Sequence, residues 1–187
     1  MKMDRETLII TILVLGLFMS SIYLGIENRE TVMEIARALY GMGEYLGGGK
    51  LTFQTKIFLF FIIWARNTLV AALNITLGPI LGLFPIFTVI INGFIIGGVV
   101  SAVAEQISVE AAFKGIAPHG IIELPTFIYS AIIGIKLGKK AYDYRFKGRE
   151  LTNMYISSLK LIPKYIVPLL MIAALIEAFI TTALLGL

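Results

Sequence analysis

Pro118 to Pro125 reads PHGIIELP and collects residue types capable of chemistry. It holds the chain's single histidine, His119, and a carboxylate four residues later, Glu123. On a helix that spacing sets imidazole and carboxylate on one face. Pro125 has no N–H, so the carbonyl of Ile121 loses its helical donor and a bend is expected nearby. Three kinds of chemistry fit such a group. It can hold helices together by hydrogen bonds. With Glu177 it can offer imidazole and carboxylate ligands to a divalent metal such as zinc. It can also relay protons or ions. The spacing is not HExxH, and an i,i+4 His/Glu pair is common. The structural role is preferred, the other two stay open, and no catalytic residue is assigned.

The composition decides where this chemistry sits. The chain has 187 residues, of which 58% are hydrophobic and only 15% charged; its mean hydropathy is +0.89. That leaves too little polar surface for a soluble domain, so apolar side chains must face lipid. The absence of cysteine excludes disulfides and thiolate metal sites. Five apolar runs, at 7–26, 57–76, 86–104, 119–136 and 165–185, are each long enough for the ~30 Å hydrocarbon core. The first follows Lys2 and Arg5 and reads as a retained anchor, since it is long for a signal peptide and no A-x-A-like site follows.

Between these runs, residues 30–46 alternate polar and apolar positions at helical spacing, predicting an amphipathic surface helix that ends at Gly47-Gly48-Gly49. The LGPILGLFP stretch over 77–85 predicts a tight hairpin. Residues 105–117 read as a polar link with a brief helix capped by Ser108, and Pro118 suits the first turn of the fourth span. The segment 137–164 is basic, with Lys139, Lys140, Arg145, Lys147, Arg149, Lys160 and Lys164 against Asp143 and Glu150. Tyr142, Tyr144 and Phe146 could stack on bases there, but a cytoplasmic loop with interfacial aromatics is the plainer account, and no nucleic-acid partner is expected. The positive-inside rule then puts the N-terminus in the cytoplasm and the C-terminus outside a cell membrane. The expected fold is all-α: one domain over 1–187, a polytopic membrane helix bundle of about five transmembrane helices plus one amphipathic surface helix.

Within the spans, Arg66, Asn67, Asn92, His119, Glu123 and Glu177 form a candidate intramembrane polar site. Ionisable groups at such depth need partners, and Arg66 with Glu177 is one expected pair. At ~1.5 Å per residue His119 falls at the outer boundary, Glu123 about 6 Å below it, and Arg66 and Glu177 about 12–14 Å below. Gly93, Gly97 and Ser101 lie four apart, as do Ser130, Gly134 and Gly138; small residues at that spacing let backbones approach. Gly120 and Pro125 are further packing positions. The small-residue faces are also expected to support a homo-oligomer, with a dimer favoured.

Together, PHGIIELP, Asn67, Asn92-Gly93 and Glu177 resemble the stage II sporulation protein M family, over about residues 55 to 185. The resemblance implies shared positions at Asn67, Asn92, Gly93, His119, Gly120, Glu123, Pro125 and Glu177. It also implies a membrane scaffold: in sporulating bacteria the family member anchors cell-wall hydrolases during engulfment. Many relatives occur where there is neither spore nor peptidoglycan, so the role does not transfer directly. The expected function is an integral-membrane scaffold or assembly factor rather than an enzyme. Its partners would be the bilayer, a second copy, and membrane or extracytoplasmic proteins. A metal-dependent membrane hydrolase and a small transporter or channel are the alternatives.

Overall fold

Asp4 starts the first helix: its carboxylate accepts hydrogen bonds from the Thr7 N–H at 2.7 Å and the Thr7 hydroxyl at 2.6 Å, satisfying donors that a helix N-terminus leaves free. The computed structural model describes residues 4–40, 51–143 and 148–186, with the backbone alone for 36–40. Helix α1 is Arg5–Glu27 and α2 is Arg29–Tyr40. Helix α3 is Phe53–Thr76, α4 is Leu83–Gln106 and α5 is Val109–Tyr142. A last helix, α6, runs over Arg149–Leu184. All but α2 are long and apolar enough to cross a membrane. Leu13, Phe53 and Ile121 stand 66%, 70% and 74% exposed on their outer faces, which lipid tolerates and water penalises. This is a membrane protein with an all-α fold.

Contacts at the helix ends set the arrangement. Asp4 pairs with Lys136 at 3.5 Å, and Glu6 with Lys139 and Lys140 at 3.2 and 3.5 Å, so the start of α1 meets the end of α5. At the opposite end Arg29 pairs with Glu105, joining α2 to α4. There too Phe53 and Phe179 lie 6.0 Å apart, bringing the start of α3 to the end of α6. Five long helices thus alternate in direction.

The helices touch at small residues. A Cβ built on Gly93 or Gly97 would run into the carbonyls of Phe18 or Ile22 in α1, and one on Gly134 would fall on the carbonyl of Asn74 in α3. Gly138 meets the Leu81–Gly82 backbone in the same way. In that turn Leu81 and Gly82 both have positive φ, 53° and 67°, which suits glycine at the second position. The faces expected to join two copies, Gly93/Gly97 and Ser130/Gly134, are therefore covered inside the chain.

Three expectations about extent change. Helix α5 does not open at Pro118; it starts after Ser108, whose hydroxyl accepts the Ala111 N–H at 3.0 Å, and passes through both prolines. The supposed polar link is its first turns, carrying a Glu110–Lys114 ion pair at 2.6 Å, the i,i+4 spacing that supports a helix. The basic segment 137–164 is mostly helical, because Leu151, Met154, Tyr155 and Leu159 pack on the core around Leu137 and Ile166. Arg145 and Lys147, like Gly47-Gly48-Gly49, lie outside the described residues.

Gly134→Ala and Gly97→Ala are each expected to destabilise the monomer by about 1–3 kcal/mol, read as a lower Tm in detergent. Gly16→Ala should be near neutral, since its Cβ would meet nothing within 4 Å among the described residues. An unchanged monomer Tm in the first two variants would contradict the packing described. The Thr7 hydrogen bonds, with the charge of Lys136, lower the Asp4 pKa from 3.8 to about 2. A lowered folded value stabilises above the unfolded one and is lost as pH falls through the folded one. Protection of the Thr7 amide from hydrogen exchange should therefore drop between about pH 4 and pH 2, and Asp4→Asn should abolish that dependence.

Candidate functional site in the bundle interior

His119 and Glu123 stand one turn apart on α5, and Glu177 approaches from α6. Their ligand-type atoms all lie within 4.8 Å of one another. His119 Nε2 is 3.8 Å from Glu177 Oε2, while Nδ1 is 3.4 Å from the Thr181 hydroxyl. The His119 side chain is only 12% exposed. Glu177 and Thr181 both belong to a π-type turn, Ile176–Thr181. Such a turn closes on i→i+5 hydrogen bonds and is wider than an α-turn, so residues four apart ride nearly one above the other and face the same neighbour. Pro118 and Pro125, without N–H groups, leave the carbonyls of Lys114, ahead of the pair, and Ile121, between its two members, without their usual helical donors.

Beside this trio lies a cavity of about 20 Å³, lined by Arg66 and Asn67 of α3, Asn92 of α4 and Glu123 of α5. A space of that size holds about one water. All six polar residues singled out from sequence thus meet in one place, with Glu123 common to trio and cavity. Asn92 has its amide N–H engaged, donating to the Thr88 carbonyl at 2.8 Å. The Glu123 Oε2 atom is buried and has no hydrogen-bond partner among the described residues. The depth separation expected between Glu123 and Glu177 does not hold, because α5 begins about ten residues earlier and His119 sits some 15 Å along it at ~1.5 Å per residue.

The packing positions divide. Gly120 is no close-approach glycine, since among the described residues a Cβ there would touch only Ile116 and Leu124 of its own helix. Gly120 and Pro125 instead line an apolar cleft of about 770 Å³ between α1, α4 and α5. Ser130 does more than pack. Its hydroxyl donates to the Phe127 carbonyl at 2.7 Å and accepts from Asn74 Nδ2 at 3.0 Å, and Asn74 Oδ1 accepts from the Thr88 hydroxyl at 2.6 Å. This second polar knot ties α3, α4 and α5, and Asn74 is fully buried in it. Sequence reasoning missed the knot; its signal was an amide in an apolar run with hydroxyls in neighbouring runs. It missed Thr181 as well, four residues from Glu177.

Comparison with known proteins agrees with this picture. A family model described as stage II sporulation protein M matches residues 7–182. The uncharacterized protein MJ0706 of Methanocaldococcus jannaschii is 30% identical over 141 residues, covering 68% of this chain and 58% of the relative. The uncharacterized protein MJ0793 of the same organism is 33% identical over 105 residues, 54% of this chain and 58% of its own length. The chain thus spans a little over half the length of these relatives. No solved structure matches it.

Asn74→Ala should remove two interhelical hydrogen bonds at once. Each is worth about 0.6 kcal/mol on average inside a membrane and at most about 1.7, so a measurable fall in Tm is expected. Combined with Thr88→Val, the loss should be less than additive. Strict additivity would show that the two side chains do not share a bond.

Proposed function

This chain belongs to the stage II sporulation protein M family, and from that premise we propose that it is an integral-membrane scaffold or assembly factor whose polar intramembrane site fixes its helices. The observation that carries this is the size of the cavity at the site, about 20 Å³. Small-molecule sites are typically several hundred Å³, so this one has room for a water or an ion and not for a substrate. A hydrolase or a metabolite transporter would have to admit one. A scaffold needs only a rigid body in the bilayer, and groups from four helices meeting at one point supply it. Following the positive-inside rule, we place the end carrying Lys136, Lys139 and Lys140 in the cytoplasm. The N-terminus is then inside, the C-terminus outside, and His119 in the outer half. The covered glycine faces direct any self-association to other surfaces, and we expect other membrane or extracytoplasmic proteins as partners.

Glu123→Gln should lower Tm and reduce in-cell crosslinking of the chain to neighbouring membrane proteins. Proteoliposomes holding the wild-type chain should show no ion or metabolite flux. Flux that disappears with Glu123→Gln would overturn the scaffold reading in favour of transport.

A further inference from the structure

We infer that His119, Glu123 and Glu177 bind one divalent transition-metal ion of the zinc type between α5 and α6. The inference rests on the polar site's structural role and names the ligand that the site would hold. The donor set is one imidazole nitrogen and two carboxylate oxygens, with atoms within 4.8 Å of one another. Ligands about 2.0–2.2 Å from a zinc ion sit roughly 3–4 Å apart from each other, so rotations that move these atoms by about an ångström close the shell. Nitrogen and oxygen ligands without thiolate suit zinc and its first-row neighbours better than a soft monovalent ion.

Two further observations point to a cation. The first is the buried Glu123 Oε2, which lacks any hydrogen-bond partner among the described residues. An oxygen in that position is costly unless something positive faces it; Arg66 lines the adjoining cavity, and an ion held by the trio would face the oxygen directly. The second is the environment of the imidazole. Nε2 faces Glu177 while Nδ1 lies 3.4 Å from the Thr181 hydroxyl. Metal-bound histidines commonly donate their other ring N–H to such an outer partner, which sets the tautomer and the ring orientation. Thr181 is therefore a positioning residue, acting through His119.

Two carboxylates and a neutral imidazole carry two negative charges, the Arg66 guanidinium lining the adjoining cavity offsets one of them, and a divalent ion with one bound hydroxide would bring the group to neutrality. The small cavity lined by Asn67 and Asn92 adjoins Glu123, and it gives a water the place of a fourth ligand, with amide groups to hold it.

The test uses the 187-residue chain purified in detergent without chelator. Elemental analysis should find close to one zinc-type ion per chain, and adding ZnCl₂ to chelator-stripped protein should raise Tm, because a ligand that binds only the folded state stabilises it. Cobalt substitution should give visible absorption. Glu177→Gln and His119→Ala should lose metal and absorption together. Thr181→Val, which leaves the three ligands in place, should weaken zinc binding by roughly 10–100-fold. The wild-type measurement decides even if a ligand variant fails to fold. Monodisperse wild-type protein that neither retains metal nor shifts in Tm with zinc, cobalt or manganese would overturn the inference, and a proton shared between the carboxylates would then account for the trio. That outcome would leave the scaffold reading intact provided Glu123→Gln still lowers Tm. Flux through proteoliposomes would overturn the scaffold reading whatever the metal content.

Discussion

A charged side chain in hydrocarbon costs a few kcal/mol or more unless neighbours supply partners, and this cost governs the arrangement of the last four long helices. Arg66 belongs to α3, Asn92 to α4, His119 and Glu123 to α5, and Glu177 to α6. If any one of these helices rotated outward, a polar group would face lipid. On the proposed scaffold reading, the trio and its cavity act as an alignment key. The apolar faces contribute adhesion, but lipid tails compete with them on nearly equal terms. Specificity of orientation comes from the few atoms that lipid cannot satisfy.

Adhesion itself is concentrated where backbones come closest. Gly93 and Gly97 let α4 lie against α1, and Gly134 and Gly138 let α5 lie against α3 and the turn after it. Between these contacts, Asn74, Thr88 and Ser130 form a second knot nearer the basic end. The bundle is therefore fastened at two depths by hydrogen-bonding groups and along its length by glycines. Ion pairs at both ends, Asp4 with Lys136 and Arg29 with Glu105, close the arrangement.

Much of this could be read from residues. Five apolar runs of membrane length, and six polar side chains out of place within them, are visible in one dimension. Their convergence was harder to see. Glu110 and Lys114 make the start of α5 look like a solvent-exposed link, although their i,i+4 spacing also fits a helix, and that misplacement displaced His119 and Glu123 in depth. Small-residue spacing shows that a face packs closely but not what it packs against, so stripes buried within the chain are indistinguishable in sequence from a dimer seam. The Asn74 knot stayed hidden because threonine and serine in an apolar helix usually bond back to their own turn, as Thr126 and Ser21 do here.

The π-type turn at Ile176–Thr181 makes the interior site a matter of counting. A wide turn accommodates one residue more than the regular helix on either side of it. Winding the same residues as a regular helix would swing everything beyond the turn by about a quarter of a circle relative to α5. Thr181 would then turn about the axis relative to Glu177 and lose its present bearing on His119, although no residue type in the site had changed. For this segment the spacing of residues carries information that their identities do not, and a chain with the same six polar side chains but a regular last helix would assemble a different interior.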